Sequence, residues 1–264
     1  VVCILFYPHL NEFRAYIIRD TGYLAFCLLA VYYLIVYTES LRLRFGLYFL
    51  LSCLAAACFR PEALLFLFLT PIAVLVPQHS RVNLRQRAFL RLQTLSLLVI
   101  AVLSGILATI AFDVTAQLST FLGIYQPFLN NLAPLFGADV PVLEQTVFGD
   151  YAAQFVGDYT AIFLFVGLMA VLIACIVDSL GLAVAPLLIY GAWRRFVRLP
   201  QPALAVLVCW LLVAALILVM FILLTRFVTT RYTLLLALLI LVFVPFIIDR
   251  GWSLAASAGR KGFS

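Results

Sequence analysis

Long runs of apolar residues, separated by short charged breaks, dominate this chain. They fall at about 1–8, 22–38, 46–59, 62–77, 94–112, 160–192, 203–225 and 232–248. Several approach or exceed the roughly 20 residues that cross a bilayer as a helix. None alternates with period two, so closed barrel strands are not indicated, and helices satisfy their backbone amides without help from water. The pattern predicts an all-α fold class, a polytopic transmembrane helical bundle with about seven complete spans and one truncated span. The chain opens on Val1 in mid-run, with no basic stretch before it. It therefore reads as a single transmembrane domain over 1–264, a fragment lacking its N-terminal part.

Composition sharpens this reading. Hydrophobic residues make up 66% of the chain and charged residues 11%, against about 25% charged in ordinary soluble domains. All six cysteines (Cys3, Cys27, Cys53, Cys58, Cys175, Cys209) sit inside apolar runs and form no CxxC pair, so they read as small hydrophobes. The distribution of basic residues orients the spans. If 9–21 lies outside, alternation collects 12 of the 17 Lys and Arg residues inside, in the breaks around Arg42, Arg85, Arg194 and Arg250. Eight of the eleven acids then lie outside, and the C-terminus is cytoplasmic. The net charge of +6 thus reports membrane orientation, and the aromatic-poor basic loops give no support for nucleic-acid binding.

Two segments depart from the simple alternation. The run 160–192 is long for one straight span and is interrupted by Asp178, Ser179 and Gly181. Two crossings there would send Arg194, Arg195 and Arg198 outside, so one long tilted or kinked helix is expected. The stretch 113–159 holds no Lys or Arg and reads as an extracytoplasmic loop with short interfacial helices. No internal repeat or low-complexity tract is apparent.

The candidate chemistry lies in five external arginines at helix ends. In the segment from His9 to Tyr23, Glu12, Arg14, Arg19 and Asp20 precede a span, and helical spacing puts Glu12, Tyr16 and Arg19/Asp20 on one face. The segment reads either as a solvated interfacial turn or as a carboxylate and guanidinium set lining a site. Phe59-Arg60-Pro61-Glu62 separates two apolar runs of only about 15 residues, which places the junction in a cavity below the membrane surface. Pro61 suits the first helical position and Glu62 the positive end of the dipole, whereas Arg60 there requires an anion such as Glu62, Asp20 or a phosphate. In Thr225-Arg226-Phe-Val-Thr-Thr-Arg231-Tyr232 the same problem recurs at Arg231. These two arginines either grip lipid phosphates or hold the phosphate of a lipid-linked substrate. The arginines of 79–91 and 194–198 read as orienting charges, and Asp178 as an intramembrane acid associated with a helix kink.

At these residues the sequence resembles the GT-C type membrane glycosyltransferases that use polyprenyl-phosphate sugars, the group of protein O-mannosyltransferases and the aminoarabinose transferase. The resemblance rests on Phe6-Tyr7-Pro8 followed by an acid, Asp20, opening the next span. It rests also on Ala55-Ala56-Ala57-Cys58-Phe59-Arg60-Pro61-Glu62-Ala63-Leu64-Leu65, and on Arg231-Tyr232 opening a Leu-rich span after a large external loop. It implies a GT-C-like bundle in a bacterial cytoplasmic membrane that moves a sugar from a polyprenyl-phosphate carrier to a lipid, glycan or protein acceptor. The main catalytic Asp of the group would lie in an external loop preceding Val1. Asp20 and Glu62 would then serve as catalytic or acceptor-orienting acids, with Arg14, Arg19, Arg60, Arg226, Arg231 and Tyr232 at the carrier phosphate. A divalent cation is an open possibility, since only scattered carboxylates are visible. The rival reading is a polytopic transporter or lipid-linked-sugar flippase, which calls for ionisable groups near mid-membrane, where only Asp178 stands.

Overall fold

A computed structural model describes residues 18–76, 82–110, 159–181, 184–194, 196–197 and 199–261. The expected span 1–8 and nearly all of the 113–159 loop lie outside the described residues. Every regular element among the described residues is helical. In chain order they are α1 (Ile18–Ser40), α2 (Leu43–Phe59) and α3 (Ala63–Leu69), which continues as a 3₁₀ helix (Thr70–Leu75). Then come α4 (Val82–Ile110), α5 (Thr160–Leu180), α6 (Val184–Trp193), α7 (Gln201–Thr225), α8 (Thr230–Leu241) and α9 (Val244–Lys261). Five segments are long and apolar enough to cross a membrane: Asp20–Ser40, Val82–Gly105, Ile162–Leu180, Gln201–Thr225 and Thr230–Leu254. The chain is thus an integral membrane protein built as a helical bundle. Leu43–Phe59, Ala63–Leu75 and Val184–Trp193 are shorter apolar helices.

The breaks between helices follow from local chemistry. Leu41 ends α1 with φ of 52°, its N–H returning to the Tyr37 carbonyl at 2.8 Å. Arg60 both closes α2 and opens α3: its N–H bonds Ala56 O (2.9 Å) while its own carbonyl accepts from the Ala63 N–H (3.1 Å). Pro61 disfavours the α conformation for the residue before it, and Arg60 is accordingly extended, at φ −146° and ψ 120°. Pro61 and Glu62 form a turn ahead of α3 with Glu62 at its N-cap, so Pro61 stands before the helix and not at its first position. After α3 the helix tightens where Pro71 removes an N–H and the Thr70 hydroxyl donates to Phe66 O (2.7 Å).

Two further expectations are corrected. The 160–192 run is two helices rather than one. Its break is at Gly181, whose φ of +80° is favourable only without a Cβ. Ser179 meets Thr233, while Gly191 meets Ile247, so α6 carries the chain from the start of α8 to the start of α9. The second correction concerns α4, which begins at Val82, twelve residues before the expected 94. Arg85, Arg87 and Arg91 are therefore helical, not loop, residues. Arg85 is buried and donates through Nη1 to Val74 O (3.2 Å) and Val76 O (3.0 Å), closing the end of the 3₁₀ helix. Its reading as an orienting charge alone missed this role, because capping depends on a partner helix.

The core lies around α7. This helix packs against α1, α3 and its 3₁₀ extension, α5 and α8. Trp210, fully buried, stacks on Phe66 of α3 with ring centroids 4.4 Å apart. α1 and α2 form a close hairpin, tied to α4 where the Tyr37 hydroxyl donates to Ala88 O (2.8 Å). The five described cysteines are free, Cys27 and Cys53 lying in this core as the sequence predicts for small hydrophobes.

Candidate functional site

Asp20 is the centre of the polar cluster. It stands in the first turn of α1, buried to 5% exposure, where a carboxylate also faces the positive end of the helix dipole. Its Oδ1 accepts from Arg60 Nη2 (2.7 Å) and Nε (3.0 Å), and its Oδ2 from Arg231 Nε (2.5 Å). Three segments distant in sequence thereby meet: the start of α1, the α2–α3 junction and the start of α8. Gly22 makes this approach possible. A Cβ there would lie 2.7 Å from the Phe59 ring, so only a bare backbone lets Phe59, and Arg60 after it, lie against the first turns of α1.

The surroundings explain how two cations share a largely apolar end of the bundle. Arg60 lies between aromatic faces, 5.4 Å from the Tyr23 centroid and 5.2 Å from that of Tyr232, while Arg231 lies 5.8 Å from Tyr232. Each aromatic face attracts a cation that water reaches poorly. Tyr232 is held in turn against Phe221 of α7 at 4.5 Å. The Arg60 and Arg231 side chains keep 16% and 32% exposure, so the cluster is closed on its Asp20 side and accessible on its arginine side. Asp20 engages three N–H groups out of the ten that two guanidiniums carry.

Glu62 lies beside this cluster, at the N-cap of α3. Its Oε2 is buried and has no hydrogen-bond partner among the described residues. It lines a cavity of about 40 Å³ whose walls include Tyr23, Arg60, Phe66, Phe221 and Tyr232. A volume of that size admits a few waters, at roughly 10–15 Å³ for each. Glu62 thus places a buried, unpartnered carboxylate oxygen beside a small, mostly apolar cavity that Arg60 also lines.

The sequence-predicted residues divide accordingly. Asp20, Arg60 and Arg231 converge on one another, and Glu62 and Tyr232 share the adjoining cavity. Arg226 is not a partner of Asp20. Its backbone instead takes the left-handed conformation, at φ 53°, that closes α7 through its N–H to Ile222 O (2.8 Å). Arg19 lies in the first turn of α1, and Arg14 lies outside the described residues. Asp178, near the end of α5, is exposed on the bundle surface. Its neighbour Ser179 is buried and shares a short hydroxyl contact with Thr233. Among the described residues no three His, Cys, Asp or Glu side chains gather as metal ligands. Tyr23 and Phe221 escaped the sequence reading. Tyr23 carries a signal, three residues beyond Asp20 on the same helix face, whereas nothing near Phe221 in sequence announces its role.

Compared with known proteins, the chain matches no family model, no curated protein and no solved structure. Its own helices define a polytopic helical membrane protein with a buried carboxylate–arginine cluster at one end of the bundle.

Proposed function

We propose that this protein is a GT-C-like membrane glycosyltransferase that moves a sugar from a polyprenyl-phosphate carrier to an acceptor on the extracytoplasmic face. The observation that carries the reading is the convergence of Asp20, Arg60 and Arg231 from three distant segments, beside the unpartnered carboxylate oxygen of Glu62. Glycosyl transfer from such a carrier releases an anionic phosphate, and fixed guanidiniums stabilise charge where it develops. The N–H groups of Arg60 and Arg231 not used on Asp20 serve that phosphate. Asp20, with both oxygens engaged, positions the arginines and is poorly placed to take a proton. Glu62 has the free oxygen and is assigned to orient the acceptor and remove its proton, a role that typically contributes 10²–10⁴-fold. The acceptor is a lipid, glycan or protein in the cell envelope of a bacterium.

The test is transfer of labelled sugar from a panel of polyprenyl-phosphate donors by membranes bearing the protein. Glu62→Gln should lower turnover by 10²-fold or more with donor binding kept, while Arg60→Ala and Arg231→Ala should weaken donor binding. Absence of transfer from every donor by folded protein would sink the assignment. The helix break at Gly181 would then favour the transporter or flippase reading, since discontinuous helices are the usual substrate sites of transporters.

A further inference from the structure

The cavity beside Glu62 is small and changes character along its length, and both properties select what can reach the carboxylate. Its polar lining, Tyr23, Arg60, Glu62 and Tyr232, stands at or before the first turns of α1, α3 and α8. A turn or more further into the bundle the lining is apolar: Phe66 of α3, Leu235 and Leu236 of α8, and Ala214, Leu218 and Phe221 of α7. The last three recur at i, i+4 and i+7, so they share one face of their helix. From Phe221 back to Ala214 that face runs about 10 Å, at roughly 1.5 Å per residue. Beyond Ala214 stands Trp210, fully buried and stacked on Phe66, which closes that end.

A volume of about 40 Å³ holds about three groups the size of a water or a methylene, at roughly 10–15 Å³ for each. A sugar ring with its hydroxyls is several times larger. Its hydroxyls would also lie against side chains that neither donate nor accept, and a hydroxyl buried without a bond is costly. A hydroxyl at the end of a short aliphatic stem meets neither objection. The stem lies against the leucine and phenylalanine walls, and the hydroxyl donates to Glu62 Oε2, the buried oxygen without a partner among the described residues. A protonated amine fits less well, because it would bring a third cation to the two guanidiniums. Branching next to the hydroxyl adds bulk to a lining in which Ala214 is the one small residue.

We propose that the acceptor enters this cavity through a primary hydroxyl on a short aliphatic stem, and that Ala214 and Leu218 set the size of what is admitted. The proposal rests on the glycosyltransferase reading and narrows its acceptor. In the transfer, Glu62 takes the hydroxyl proton as the alcohol oxygen bonds to the anomeric carbon. The bond from that carbon to the carrier phosphate breaks, its electron pair staying on the phosphate oxygen beside Arg60 and Arg231. The test supplies membranes bearing the protein with the polyprenyl-phosphate donor panel and three acceptors. These are a long-chain glycol ether ending in a primary alcohol, its methyl-branched secondary counterpart, and an alkyl xyloside, which has ring hydroxyls only. Glycoside formation and release of the carrier phosphate are measured separately. The primary alcohol should be preferred by about tenfold or more, the range that one added carbon costs in a shaped pocket. Leu218→Ala, which enlarges the cavity, should reduce that preference, a change that misfolding cannot produce. Ala214→Leu should lower transfer to the primary alcohol more than transfer to water. Equal transfer to the three acceptors, or a preference that Leu218→Ala leaves unmoved, would overturn the proposal and leave the glycosyltransferase reading standing. Release of no carrier phosphate from any donor would instead end that reading, and the proposal with it.

Discussion

Replacing Asp20 by Asn tests the centre of the cluster most directly. The substitution keeps the shape of the side chain and removes its charge, leaving Arg60 and Arg231 to face each other beside an amide. Asp20 accepts three charge-assisted bonds, at 2.7, 3.0 and 2.5 Å, and is itself only 5% exposed. Removing one member of a buried ion pair costs about 3–5 kcal/mol, because the surviving charge stays desolvated. Here the arginine side chains are 16% and 32% exposed, so part of that charge relaxes into solvent. About 2–3 kcal/mol of destabilisation is expected for Asp20→Asn, allowing for solvent screening at the arginines. Arg231→Gln, which deletes the more exposed partner, should cost about 1 kcal/mol, as for a partly exposed pair. The assay is equilibrium unfolding in a fixed detergent, run as a double-mutant cycle on Asp20→Asn and Arg231→Gln. A coupling of about 1–2 kcal/mol is expected for groups in direct contact. Additivity within about 0.5 kcal/mol would show that the contact contributes little, and the argument that Asp20 organises the arginines would fail.

Three further outcomes follow from the packing. Gly22→Val should push Phe59 and Arg60 away from α1, costing about 1–3 kcal/mol by overpacking and reducing the Asp20 coupling measured above. Arg85→Met should uncap the 3₁₀ helix and cost about 1–3 kcal/mol through two carbonyls losing their donor; an unchanged melting temperature would show that water replaces it. Trp210→Ala removes the largest fully buried side chain and its stack on Phe66, and should cost about 3–5 kcal/mol in the same unfolding assay. A loss below about 1 kcal/mol would show that the surrounding helices close over the gap.

The sequence by itself determined the class of this protein and the membership of much of its candidate site. Apolar runs of bilayer length, with charge confined to the breaks, admit helices because backbone amides in hydrocarbon must pair within their own segment. Arg60 and Arg231, each beginning a helix where a cation is disfavoured, announced that an anion must stand nearby. Asp20 was among the anions named. Which of them pairs with both arginines was decided by tertiary structure, since the approach depends on the bare backbone of Gly22 against Phe59, 37 residues away. The same holds for Glu62. Its residue type and place at the N-terminus of α3 were legible, but the walls of the cavity beside it come also from α1, α7 and α8. The break at Gly181 was visible as an interruption of an apolar run, yet whether such an interruption kinks a helix or ends it depends on the backbone angles that packing imposes. Arg85 shows the limit most plainly. On the sequence it is one arginine among four, and its function lies in the carbonyls that another helix end brings within reach of its guanidinium.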